Sequence, residues 1–173
     1  MKTDRVIICQ DYRTLTLNEV AELSEINAIE VDDSLRERIR EDVNRDQPLI
    51  SYLRGRGYEV HLFDGYDTNL VRKLRDPLDG AKHLGRLIDA TESSGIVYDL
   101  SYFGDFSYGL EMLKRLIADG YLTKLSKLIV LSYFIDERPH NYREQLVALG
   151  VEPDFIKYAL RCPFSEIDRL LAL

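Results

Sequence analysis

The stretch Gly95-Ile96-Val97-Tyr98-Asp99 is a short apolar run that ends in a carboxylate. A continuous run of aliphatic and aromatic side chains without polar alternation is typical of a strand buried on both faces of a parallel sheet. Open α/β sheets bind their ligands at the carboxyl ends of their strands. Asp99 is therefore the first candidate for a functional residue.

Two further apolar runs also end in polar side chains. Residues 5–11 (RVIICQD) end in Asp11, and residues 127–132 (KLIVLS) end in the hydroxyl of Ser132. Because parallel strands bring their carboxyl ends to the same edge of a sheet, we expect Asp11, Asp99 and Ser132 to converge there.

Short strands alternate with helical patterns along the chain. The runs at residues 58–63 and 154–158 complete a set of five predicted strands, each followed by a helix. This alternation indicates a parallel sheet that is covered by helices on both faces. We expect an α/β fold of the flavodoxin-like, doubly wound kind, and the 173 residues are expected to form a single domain.

Composition argues against several classes of function. The chain has 23 Lys and Arg against 30 Asp and Glu, a net charge of −7, so its average field repels nucleic acid and anionic membranes. No apolar stretch approaches the roughly 20 residues of a membrane span, and no signal-peptide pattern follows Met1. We expect a cytoplasmic protein with neither nucleic acid nor membrane as a partner. Cys9 and Cys162 are interpreted as ordinary buried thiols.

Four segments share the order and spacing of a known family. They are residues 99–113, which run from Asp99 into a Gly-Leu-Glu-Met-Leu helix start, residues 128–132 with Ser132, residues 149–156 with Phe155, and Cys162-Pro163-Phe164. Together they resemble the receiver domain of two-component response regulators, over residues 4–13 and 47–173.

The resemblance implies a signalling or regulatory domain more than an enzyme that turns over substrate. It implies that Asp99 accepts a phosphoryl group, with Ser132 as a further catalytic group, and that Ser132 and Phe155 relay the change as switch residues. It also implies Mg²⁺ held by Asp11, Asp99 and the carbonyl of Ser101, since Mg²⁺ is a hard ion that takes oxygen ligands. The implied partner is a histidine kinase or another signalling protein.

The chain departs from the receiver pattern at two positions that carry charge. Gln10-Asp11 leaves one acid where receivers usually have two, and Cys162 stands where a lysine should precede proline. Phosphoryl transfer depends on positioning and on electrostatic stabilisation of the phosphoryl oxygens. Without the lysine, Arg161 or Lys157 would have to stabilise the anion.

The sequence also permits two other interpretations. One is a pseudo-receiver, an interaction module that keeps the fold and is not phosphorylated. The other is a remnant of a haloacid-dehalogenase-like phosphatase, because Asp11-Tyr12-Arg13-Thr14-Leu15, Ser132 and Lys157 are similar to the three motifs of that family. Arg13, however, stands at the site of the second acid of that nucleophile motif.

A helical insertion is predicted between the first strand and the rest of the domain, at about residues 15–46. Two capping-box signals begin at Thr16 and Ser34. Apolar stripes at helical spacing follow them, and they consist of Val20, Leu23 and Ile26 and of Leu35, Ile39 and Val43. The stripes are expected to bury against each other, against the sheet, or against a second copy of the chain.

Changing Ile39 and Val43 to Asp separates these cases. If the insertion forms a homodimer interface, the variant becomes a folded monomer, because exposed apolar area costs about 25 cal/mol per Å² and the interface supplies that energy. Sedimentation and circular dichroism check this outcome. A wild type that is monomeric and a variant that unfolds would instead assign the insertion to the core.

Overall fold

A computed structural model describes residues 4–9, 48–63, 66–67, 72–73, 76–100, 106–132, 135 and 141–173. The elements in chain order are β1 (Arg5–Cys9), α1 (Pro48–Gly55), β2 (Glu59–Phe63), β3 (Tyr66–Asp67), β4 (Arg72–Lys73), α2 (Pro77–Thr91), β5 (Gly95–Asp99), α3 (Phe106–Ala118), α4 (Tyr121–Lys124), β6 (Lys127–Ser132), α5 (Tyr142–Ala148), β7 (Ile156–Tyr158) and α6 (Phe164–Ala172). Two single turns of 3₁₀ helix, Pro153–Phe155 and Ala159–Arg161, flank β7.

Five of the strands form an all-parallel sheet in the order β2-β1-β5-β6-β7. The first strand, β1, lies next to the central strand β5. Strand β2 lies on the outer side of β1, and β6 and β7 follow β5 on the other side. This is the flavodoxin-like, doubly wound arrangement, which confirms the predicted fold class. The proposed insertion at residues 15–46 lies outside the described residues. The pair of short antiparallel strands β3 and β4 was not predicted.

Alternate residues of each strand bury against different helices. In β5, Ile96 and Tyr98 join the cluster that α2, α3 and α5 cover, whereas Val97 joins the cluster beneath α1 and α6. We call the first side the α3 face and the second side the α6 face. Each face buries a row of large apolar side chains, and each such side chain contributes roughly 1.5–3 kcal/mol.

The side chain of Asp76 caps the amino end of helix α2. The carboxylate of Asp76 accepts a hydrogen bond from the backbone amide of Leu78 at 2.8 Å, and Pro77 occupies the first turn. The helix packs closely on α3, since a Cβ added to Gly80 would lie 2.6 Å from the hydroxyl oxygen of Tyr108. In the part of the chain that the structure describes, no helix is long and apolar enough to span a membrane.

Asp168 joins α6 to the turn that precedes β2. Its carboxylate accepts hydrogen bonds from Arg56 Nε at 2.8 Å and from the Tyr58 hydroxyl at 3.1 Å. Burial of the ring, with the nearby Asp168 carboxylate, raises the pKa of Tyr58 to about 12. Tyr58 therefore stays protonated and can donate to Asp168 throughout the physiological range.

We expect Asp168→Ala to lower the free energy of unfolding by about 1–3 kcal/mol, because two donors lose a charged acceptor. Urea unfolding measures the difference. The matched control is Asp119→Ala, which removes an exposed carboxylate that pairs with Arg115 just beyond the end of α3 and should cost about 0–0.5 kcal/mol. Equal losses in the two variants would contradict the prediction.

Candidate functional site

Asp99 ends the central strand β5 at the carboxyl edge of the sheet and is partly exposed. A cavity of about 240 Å³ opens beside it on the α6 face. Apolar side chains make most of its lining, among them Val97, Leu131 and Ile167, and Cys9 and Cys162 complete it. Among the described residues of this lining, Asp99 is the one with a charged side chain. The side chains around the cavity are thus mainly apolar, with one carboxylate among them.

Ser132 lies at the same edge of the sheet, where it ends β6 and is fully buried. It follows Val130 by two residues, and Val130 belongs to the α3 face. Asp99 follows Val97, which belongs to the α6 face. Because side chains alternate along a strand, the Ser132 hydroxyl and the Asp99 carboxylate leave the sheet on opposite faces.

Phe155 lies away from both of these residues. The sequence predicts a strand over residues 154–158, but Phe155 belongs to the 3₁₀ turn that Pro153 begins, and β7 starts at Ile156. Its ring packs on the α6 face and lines a second cavity, of about 420 Å³, beside Lys127 at the amino end of β6. The structure therefore does not bring Phe155 into the lining of the Asp99 cavity.

The proposed Mg²⁺ ligands are described only in part. Asp11 and Ser101 lie outside the described residues, and Asp99 is the single proposed ligand within them. The described residues hold no group of three or more His, Cys, Asp or Glu side chains arranged to bind a metal ion. Mg²⁺ at this edge stays a prediction that rests on Asp11 and Ser101.

Cys162 occupies the position at which the receiver pattern has its lysine, and it opens onto the same cavity as Asp99. Burial raises the pKa of the Cys162 thiol, and the Glu166 carboxylate adds to this shift, while the Lys157 ammonium opposes it. The thiol is therefore uncharged at neutral pH. Cys162 supplies no positive charge to an anion at Asp99.

The two remaining candidate cations point in different directions. Lys157 Nζ lies 3.1 Å from Glu166 Oε1, at the start of α6. The guanidinium carbon of Arg161 lies 5.9 Å from the ring centroid of Tyr158, which packs on the α3 face. Lys157 is therefore on the side of the sheet that carries the Asp99 cavity, and Arg161 leans toward the other side.

Glu166 is the centre of a small charged cluster beside the cavity. Its carboxylate accepts two hydrogen bonds from Arg169, both at 2.8 Å, in addition to the contact with Lys157. These bonds lower the pKa of Glu166 to about 2, and the bonds from Arg169 have the larger effect. Sequence spacing indicates the pair Glu166 and Arg169, which are three residues apart on a helix, but it cannot indicate Lys157 as the third member.

Comparison with known proteins finds no relative of this chain. No family model, curated protein or solved structure matches the chain. The assignment of function therefore depends on the residues and their geometry.

The charged cluster predicts a specific acid dependence of stability. The pKa of Glu166 falls from 4.5 to about 2 on folding, so its contribution is complete above pH 4.5 and is lost as the pH falls toward 2. In Glu166→Gln this contribution is absent, and the variant should lose less stability than wild type over the same interval. Chemical unfolding at a series of pH values measures both slopes. Parallel slopes would show that the cluster does not form in solution.

Proposed function

We propose that this chain is a receiver-like regulatory domain in which Asp99 accepts a phosphoryl group slowly. The observation that carries the proposal is that Cys162 lines the same cavity as Asp99. The receiver resemblance requires the residue before Pro163 to face the acceptor carboxylate, and the geometry of the cavity supports that requirement. The strand order of the sheet supports it as well.

The proposed reaction with a small phosphodonor forms one bond and breaks one bond. A carboxylate oxygen of Asp99 attacks the phosphorus of acetyl phosphate, and the bond between phosphorus and the acetyl oxygen breaks. Acetate leaves with the bonding electrons, and an acyl phosphate stays on Asp99. Negative charge builds on the phosphoryl oxygens, so a neutral thiol at position 162 slows the step.

The proposal includes the biological setting that the resemblance implies. The partner would be a histidine kinase or another signalling protein in the cytoplasm, with no nucleic acid bound directly. The net charge of −7 supports the last point, because an acidic domain is repelled by a phosphate backbone.

A second candidate is the pseudo-receiver, which binds partners without being phosphorylated. The mainly apolar side chains around the Asp99 cavity favour it, and so does the position of Ser132 on the opposite face of the sheet. In this case the fold would present a protein-binding surface and Asp99 would have only a local structural role.

Replacing Cys162 with lysine restores the positive charge of the receiver pattern and distinguishes the receiver-like function from the pseudo-receiver. With acetyl phosphate and Mg²⁺, we expect wild type to gain one phosphoryl group slowly and Cys162→Lys to gain it at least about tenfold faster, since one electrostatic donor at the reacting oxygens is worth that much or more. Time-resolved intact-mass spectrometry measures the rates. Asp99→Asn should abolish the label in either background.

Cys162→Met is the matched control, because it adds length to the side chain without charge. It should label no faster than wild type, and thermal unfolding of each variant shows whether the domain stays folded. A folded Cys162→Lys protein that takes no label at Asp99 would reject phosphoryl transfer and leave the pseudo-receiver.

A further inference from the structure

We infer that Lys157 is the cation of the Asp99 site, and that it moves from Glu166 to the phosphoryl oxygens while Arg169 keeps Glu166 neutralised. The inference rests on the proposed function and names the residue that makes it work. Four features of the described residues support it: the position of Lys157 in the sheet, the double pairing of Glu166, the small side chain at position 162, and the direction of Arg161.

Lys157 is in register with Asp99 across the sheet. Asp99 pairs with Leu131, and Leu131 pairs with Lys157, so all three belong to one row at the carboxyl edge. Paired residues of parallel strands share a face, which here is the α6 face with the cavity. The Cα atoms of Asp99 and Lys157 are roughly 10 Å apart, since neighbouring strands lie about 4.8 Å apart. The flexible four-carbon side chain of Lys157 and a phosphoryl group added to Asp99 together span that distance.

The second feature is that Glu166 can release Lys157 without becoming an unpaired charge. Arg169 Nε bonds Oε2 and Arg169 Nη2 bonds Oε1, each at 2.8 Å. Lys157 shares Oε1 with that guanidinium at 3.1 Å. After Lys157 leaves, the two-point pair of Glu166 and Arg169 remains, and such fork-like pairs are the more strongly held of the two. Departure of Lys157 therefore leaves Glu166 neutralised by Arg169 and costs only the 3.1 Å contact that held Lys157.

The third feature is the space that Cys162 leaves. Its short side chain lines the cavity close enough to Glu166 and Lys157 that both affect the pKa of the thiol. A lysine at this position would occupy more of the cavity beside Asp99. Cysteine takes up less of this space, whereas Arg161 lies over the ring of Tyr158 on the other side.

Three substitutions test the inference through the rate of labelling at Asp99 by acetyl phosphate. Lys157→Met should lower the rate by about tenfold or more, because the cation is lost. Glu166→Gln should raise it, because Lys157 is held less tightly. Arg169→Met should lower it, because Glu166 then depends on Lys157 alone. The double variant Lys157→Met/Glu166→Gln should label at the rate of Lys157→Met.

The matched controls are Lys114→Met and Glu111→Gln, which disrupt an ion pair of 2.9 Å on α3, on the other face of the sheet. Both should label at the wild-type rate. A rate for Glu166→Gln that equals wild type, or a gain that survives loss of Lys157, would overturn the inference.

Cys162→Lys distinguishes failure of this inference from failure of the proposed function. Its new ammonium faces Asp99, so adding Lys157→Met to it should have little effect. If wild type is labelled at Asp99 and Lys157→Met leaves that rate unchanged, Lys157 is not the cation and the receiver proposal stands. If Cys162→Lys is labelled at Asp99 but wild type is not, the fold accepts a phosphoryl group only with the added lysine, and both proposals fail for the natural chain. If neither protein is labelled at Asp99, both fail.

Discussion

Strand β5 is hydrogen-bonded on both edges and buried on both faces, and the rest of the domain depends on this constraint. Its neighbours β1 and β6 satisfy the backbone polar groups, while α3 and α6 remove its side chains from water. Such a strand can carry a charged side chain only where the sheet ends. Asp99 is therefore held at the edge by the same pairing that stabilises the fold, with Leu131 of β6 as its register partner.

The α6 face combines an apolar chamber with a compact set of charges at its margin. Asp99 contributes the one charged side chain in the described lining, Cys162 contributes an uncharged thiol, and Lys157 is engaged by Glu166 outside the lining. The positive charge described at this margin thus belongs to residues of β7 and α6 and not to the residue directly before Pro163. In the receiver-like function that we propose, Lys157 is held by Glu166 until a phosphoryl group is on Asp99.

The strand patterns predicted most of the architecture, because burial on both faces leaves a continuous apolar signature. The apolar pattern located runs at residues 5–11, 95–99 and 127–132, and the structure has strands at Arg5–Cys9, Gly95–Asp99 and Lys127–Ser132. The alternation of these runs with helices predicted the parallel sheet. Short elements were less predictable. Pro153 begins a 3₁₀ turn at the start of the last predicted strand, so Phe155 lies in that turn and lines the second cavity.

The sequence by itself determined which polar residues end the strands, since a break in an apolar run is a local property of the chain. Only the tertiary structure decided what those residues meet. Alternation about the strand axis sends Asp99 and Ser132 to opposite faces, and the return of α6 across the sheet brings Glu166 to Lys157 and Cys162 to the cavity. These relations join residues that are distant in the chain, and no local pattern encodes them, because they arise from how strands and helices pack.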